Sequence, residues 1–161
     1  MTDVFPALAL GVGEGNDRVM GHPPRSSDEP LMTKQLWKWV SGYGVVLGVC
    51  TLGAFLIAHE WFAMDLTESI TVCFLTLAFG QLCHVFNMRD QGAGLFNSEV
   101  TRNPFVWGAT ALCTVILLLA VYAPPLAKVL QTTAPGLKAW ATIIPMSIAP
   151  VVVDVVVRKL R

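Results

Sequence analysis

One uncharged stretch, Ser69 to Met88, constrains the fold more than any other part of the sequence. It contains no Lys, Arg, Asp or Glu, and Glu68 and Arg89 flank it. About 20 helical residues cross the roughly 30 Å hydrocarbon core of a bilayer, so a run of this length predicts a transmembrane helix. Polar side chains recur at every third position, on one side of that helix, at Gln81, His84 and Asn87. Because polar groups are costly in hydrocarbon, we expect that side to face other helices.

Three further apolar segments have the length and the flanking residues of membrane helices. The sequence therefore predicts four spans, at about 39–58, 69–88, 104–122 and 139–157. Asn103 followed by Pro104 is typical of a helix start, with a cap and then a proline in the first turn. Pro124 should end that third helix, and a loop is expected from there to Gly136.

The N-terminal quarter of the chain has a different character. Residues 1–10 are apolar but too short to span, and they indicate the end of a helix cut off at its start. Residues 11–30 are rich in Gly, Pro, Asp and Ser, which predicts an aqueous loop. Ser26 or Ser27 is a possible cap for a helix beginning near Pro30. We therefore divide the chain into a helix end with its loop, residues 1–36, and a four-helix transmembrane domain, residues 37–161.

Composition supports the membrane class. Only 14% of the residues are charged and 54% are hydrophobic, whereas about a quarter of a soluble domain is charged. The four cysteines all lie in apolar runs without a CxxC motif, which favours packing over disulfides or a metal site. The predicted fold class is all-α, a polytopic bundle of four transmembrane helices in the lipid bilayer, and no nucleic-acid partner is expected.

The placement of the basic residues predicts the orientation. Four crossings put the N-terminal loop, the central loop and the C-terminus on one side of the membrane. That side carries nine basic residues, whereas the other has Lys128 and Lys138; the nine are Arg18, Arg25, Lys34, Lys38, Arg89, Arg102, Arg158, Lys159 and Arg161. Because basic loops stay in the cytoplasm, both termini are expected to be cytoplasmic.

Glycines in the first span indicate a close helix contact. Gly44 and Gly48 form a GxxxG pattern, in which the missing side chains let another helix backbone approach. The alternative is the ordinary tolerance of membrane helices for glycine. We favour the contact because four glycines lie in or next to this one span.

Candidate ligand residues are few. Asp3 beside Thr2 has the oxygen donors of a hard-cation site, although a solvated N-terminal tail is the alternative. Gln81 offers an amide oxygen as a ligand or as an interhelical hydrogen-bond partner. Asp154 lies one turn before a basic C-terminal end, which favours a structural ion pair.

The sequence lacks a glycine-rich phosphate loop, an HExxH motif and a DKTG motif. We therefore expect no catalysis and no resident cofactor from the chain alone.

The N-terminal stretch resembles P-type cation-transporting ATPases, and the calcium-pump branch of that family most closely. The resemblance rests on TDVFPALALG at 2–11, on PPR at 23–25 and on EPL at 29–31. These motifs resemble the end of the sixth transmembrane helix and the loop into the seventh. The segment from Phe79 to Asn87 resembles the eighth helix, and Trp140 with the ending from Asp154 resembles the tenth. The resemblance covers nearly all 161 residues.

The resemblance implies roles for particular residues. Thr2 and Asp3 match cation ligands of the family's sixth helix, and Gln81 stands where two-site calcium pumps have a glutamate. An asparagine ligand that usually comes three residues earlier is absent, and Val4 stands where a glycine is common. The resemblance thus implies a divalent, calcium-like cation as a ligand only in a complete pump. The first five helices and the phosphorylation and nucleotide domains have no counterpart in this chain.

Two functions follow as hypotheses. The first is the C-terminal membrane scaffold of a P-type cation pump, inactive alone, in which Gly44 and Gly48 pack against a helix outside this chain. The second is a stand-alone four-helix subunit or regulator of a transporter. A small channel or carrier is disfavoured, because the third span offers almost no polar residue to line a path.

Overall fold

The structure is a computed structural model, and it describes residues 4–12, 33–87 and 99–159. Every regular element in these ranges is helical. The α-helices are α1 (Val4–Gly11), α2 (Lys34–Leu56), α3 (Leu66–Val85), α4 (Glu99–Arg102), α5 (Pro104–Tyr122), α6 (Pro124–Leu130) and α7 (Leu137–Lys159). A π-helical segment, Ile57–Trp61, continues α2. Four of these helical stretches are long and apolar enough to cross a membrane: Lys34–Trp61, Leu66–Val85, Pro104–Tyr122 and Leu137–Val157. The predicted all-α, four-span architecture is therefore confirmed.

Side-chain caps determine where three of the long helices begin. Thr33 accepts a hydrogen bond from the N–H of Leu36, 3.2 Å away, so α2 begins at Lys34. The residues of the expected helix start near Pro30, with its possible caps Ser26 and Ser27, lie outside the described residues. Asp65 caps α3 in the same way and places its start before the uncharged run. Asn103 caps α5, as its sequence predicts.

Helical structure extends beyond the predicted spans in two places. The chain contains no glycine or proline between Leu56 and Trp61, so helical hydrogen bonding continues past the apolar run in a wider π turn. The helix stops only near Ala63, which adopts a positive φ of 48°. Pro124 ends α5 but also begins α6, because a proline is well tolerated in a first helical turn. Gln131, with φ 53°, ends α6 in the left-handed region.

Helix α3 lies at the centre of the bundle and packs against α2, α5 and α7. Helix α2 also contacts α7, and α1 packs against α5. The core is formed largely by apolar side chains of α3 and its neighbours, including Val72, Leu75, Cys113, Leu117 and Ile143. All four cysteines are free, which confirms the prediction that they are not in disulfides.

Two buried threonine hydroxyl groups donate hydrogen bonds within their own helices. Thr51 donates to the carbonyl of Leu47 at 2.8 Å, and Thr71 donates to that of Thr67 at 2.8 Å. Such bonds to the preceding turn let small polar side chains lie in an apolar bundle without a free donor. The outward faces, by contrast, carry large exposed apolar side chains, such as Val45 and Val49 of α2 and Leu119 of α5. This arrangement suits a surface in contact with lipid or with further helices.

Candidate functional site

Gln81 lies in the second half of α3, where α2 and α7 both close on that helix. The preceding residue, Gly80, is buried. A Cβ atom built on Gly80 would lie 2.6 Å from Cδ1 of Leu47 and 3.8 Å from the carbonyl oxygen of Ser147. Because real Cβ contacts are not that short, Leu47 occupies the space that a side chain at position 80 would need. The glycine thus lets α2 pack directly beside the candidate ligand Gln81, which is half-buried.

The polar side of α3 faces the bundle, as predicted. The imidazole ring of His84 stacks on the ring of Tyr43 from α2, with centroids 3.8 Å apart and an interplanar angle of 25°. Asn87 is only 1% exposed, and its amide has no hydrogen-bond partner among the described residues. The pairing of Tyr43 with His84 could not be predicted from the sequence, because it depends on how α2 and α3 pack.

Thr2 and Asp3 lie outside the described residues, but helix α1, which follows them, contacts the rest of the bundle through Ala9. Nδ2 of Asn103 donates a hydrogen bond to the carbonyl oxygen of Ala9 at 3.0 Å. Ala9 is also buried in a small apolar cluster with Val85 of α3 and Val106 of α5. Helix α1, which directly follows the predicted ligand Asp3, is therefore packed against α3 and α5.

No group of three or more His, Cys, Asp or Glu residues lies together in the parts of the chain that the structure describes. Of the three predicted cation ligands, only Gln81 falls within those parts. A calcium ion takes six to eight oxygen ligands, so Thr2, Asp3 and Gln81 together could supply only part of such a site.

The GxxxG pair lies on an open face of α2. A Cβ atom built on Gly44 or Gly48 meets no heavy atom within 4 Å. The neighbouring side chains of Val45 and Val49 are 66% and 65% exposed. The predicted close contact is therefore not made to any other described part of this chain, and the face is available to a helix outside it.

Asp154 lies on α7 and is only 8% exposed. It borders a cavity that is also lined by Lys38 and Tyr43 of α2. The prediction of a structural ion pair with Lys159 lies outside the described side chains. Asp154 was expected near the end of a span, and it lies on the side of α7 that faces this cavity and α2.

Comparison with known proteins gives a consistent picture. The family described as "Cation transporting ATPase, C-terminus" matches residues 1–160. The chain is 34% identical over 151 residues to a calcium-transporting ATPase of Bacillus subtilis (strain 168), a match that covers 93% of this chain and 17% of the relative. It is 28% identical over 173 residues to calcium-transporting ATPase 1 of Bacillus cereus (strain ATCC 10987 / NRS 248), covering 98% of this chain and 19% of the relative.

The chain thus spans less than one fifth of the length of these relatives. The match runs through the whole four-helix region together with α1, and it confirms the resemblance drawn from the N-terminal motifs and the eighth-helix segment. The chain belongs to the family of C-terminal domains of cation-transporting ATPases.

Proposed function

We propose that this chain is the membrane scaffold of a P-type calcium-transporting ATPase and braces the transport helices that lie outside it. The observation that carries this proposal is the open glycine face of α2. Gly80 of α3, by contrast, is in close contact with Leu47 of α2. Gly44 and Gly48 have no such neighbour. Small residues in membrane helices are typical of close helix packing, so this face fits a further transport helix.

Calcium is proposed as the cation because the relatives named above are calcium-transporting ATPases. The proposed contribution of this chain is the side-chain oxygens of Asp3, Thr2 and Gln81. Carboxylate, hydroxyl and amide oxygens are the ligands that calcium prefers. The remaining ligands must come from helices outside the chain, because three residues do not complete a calcium coordination shell.

Rigid support for both halves of the site favours this proposal. The hydrogen bond from Asn103 to Ala9 holds α1, which directly follows Asp3. The packing of Leu47 against Gly80 holds α2 against the part of α3 that carries Gln81. A ligand set divided between two helices is useful only if those helices keep their separation, and we propose that these two contacts contribute to it.

A chimeric pump tests the proposal. This chain would replace the matched 151-residue segment of the Bacillus subtilis relative, and ATP-dependent calcium uptake would be measured in inverted membrane vesicles. We expect the chimera to transport calcium. We expect Gly44→Leu with Gly48→Leu to abolish transport, because the added side chains separate α2 from its proposed partner helix.

A matched control is available on α5. Gly108 also has no heavy atom within 4 Å of a built Cβ, but it belongs to no GxxxG pair. Gly108→Leu should leave transport intact. The scaffold proposal would be wrong if the chimera transported calcium equally well with leucines at positions 44 and 48.

A further inference from the structure

A cavity of about 210 Å³ lies between α2 and α7 and has no role in the function proposed above. It lies where α2 begins and α7 ends, since its lining includes Lys38 near the start of α2 and Val157 near the end of α7. Both helices are membrane spans, so this position corresponds to one boundary of the hydrocarbon core. A ligand here would be in contact with both headgroups and acyl chains.

Opposite charges border the cavity. Lys38 is exposed and contributes an ammonium group, whereas Asp154 is 8% exposed and contributes a carboxylate. Tyr43 adds a buried hydroxyl group that has no hydrogen-bond partner among the described residues. A molecule that complements this lining offers an anionic group to Lys38, a positively charged hydrogen-bond donor to Asp154 and a further polar atom to Tyr43.

The rest of the lining is apolar. Val46 of α2 lies toward the middle of the membrane, and Val153 and Val157 of α7 complete that wall. Gly42 of α2 also lines the cavity and contributes no side chain, and a Cβ atom built there meets no heavy atom within 4 Å. An acyl chain could therefore follow the groove between the two helices.

We propose that this cavity binds the headgroup of a phospholipid that carries both a phosphate and a primary ammonium group, as phosphatidylethanolamine does. Lys38 pairs with the phosphate, and Asp154 accepts hydrogen bonds from the ammonium group. The hydroxyl of Tyr43 donates to a phosphate or ester oxygen. The proposal depends on the four membrane helices alone and does not rest on calcium transport.

Charge complementarity distinguishes this lipid from the common alternatives. A headgroup with only negative charge would meet the carboxylate of Asp154 at close range, which is unfavourable. A choline headgroup carries the positive charge but has no N–H to donate to that carboxylate. Of these three kinds of headgroup, ethanolamine is the one that complements both Lys38 and Asp154.

The test uses the full chain in nanodiscs that contain equal amounts of palmitoyl-oleoyl phosphatidylethanolamine, phosphatidylcholine and phosphatidylglycerol. After extraction into mild detergent, native mass spectrometry counts the lipids that remain bound. We expect about tenfold more phosphatidylethanolamine than either other lipid, the ratio that corresponds to one charge-assisted hydrogen bond. Lys38→Ala and Asp154→Asn should each bring the ratio close to one. Lys34→Ala is the control, since Lys34 is exposed on the same helix and does not line the cavity.

A second pair of variants avoids any change of charge. Gly42→Leu fills the cavity and should remove the lipid preference. Gly44→Leu, two residues away and outside the cavity lining, should retain it. Circular dichroism verifies that each variant is folded, and if Asp154→Asn does not fold, Lys38→Ala and Gly42→Leu decide the question. Equal retention of the three lipids, a preference for phosphatidylglycerol, or an unchanged preference in Gly42→Leu would each overturn the proposal.

Discussion

Asn103 joins two helices that are far apart in the sequence. Its Nδ2 donates to the carbonyl oxygen of Ala9 at 3.0 Å, while its Oδ1 accepts from the N–H of Phe105 at 2.9 Å. The first bond holds α1 against the bundle, and the second caps α5. One side chain thereby couples the start of α5 to the helix that directly follows the proposed ligand Asp3.

The two bonds of Asn103 can be separated by substitution. Asn103→Asp keeps the capping oxygen but loses the donor to Ala9, so we expect it to lower the free energy of unfolding by about 1 kcal/mol. Asn103→Ala loses the cap as well and should lower it by about 2 kcal/mol in total. SDS titration of the chain in mixed micelles measures both. Thr33→Ala is the control, because it removes only the cap of α2. Equal losses in the Asp and Ala variants would contradict a separate role for the bond to Ala9.

The contact between Gly80 and Leu47 predicts a second effect. Gly80→Ala places a Cβ atom 2.6 Å from Cδ1 of Leu47, the end of a flexible side chain that must move aside, so we expect a loss of stability of no more than about 1 kcal/mol. In the double variant with Leu47→Ala the clash is removed, so the two effects should not add. Gly53→Ala has no heavy atom within 4 Å of its new Cβ and should be neutral or stabilising. Additive losses in the double variant would show that Leu47 is not the obstacle.

Thr71 connects α3 to the segment between α6 and α7. Its hydroxyl donates to the carbonyl of Thr67 and accepts from the backbone N–H of Thr133, 3.1 Å away. Thr71→Val keeps the shape but leaves the Thr133 N–H without this acceptor, so we expect a loss of about 1–3 kcal/mol in the same unfolding assay. Thr114→Val is a matched control, because the hydroxyl of Thr114 donates to the carbonyl of Thr110 in the preceding turn of the same helix. A similar loss in both variants would mean that the link to Thr133 is not significant.

The sequence predicted the spans well where a local signal marks the boundary. For the third span the agreement is complete, 104–122, because Asn103 and Pro104 mark its start and Pro124 its end. The helix that contains the second predicted span begins at Leu66, three residues before Ser69, since a helix tolerates Glu68 in its first turn, where an acidic side chain is favourable. Hydropathy locates the part of a helix that lies in hydrocarbon, and it does not show where the helical hydrogen bonding ends.

The contacts between helices could not be predicted in the same way. The spacing of Gln81, His84 and Asn87 showed that these residues share one side of α3, but not which residues face them. The stacking of His84 on Tyr43 and the packing of Leu47 on Gly80 depend on the relative rotation and height of α2 and α3. These quantities arise from the packing of many side chains, and no single-sequence pattern encodes them.

The distribution of basic residues makes a final prediction about orientation. An even number of spans returns the chain to the side on which it starts, and the nine basic residues on that side favour the cytoplasm. Green fluorescent protein fused to either terminus should therefore fluoresce, and alkaline phosphatase fused there should be inactive. Alkaline phosphatase inserted after Thr132, between α6 and α7, should be active, because that segment is expected on the opposite side. Fluorescence at one terminus with phosphatase activity at the other would contradict both the even number of crossings and the proposed topology.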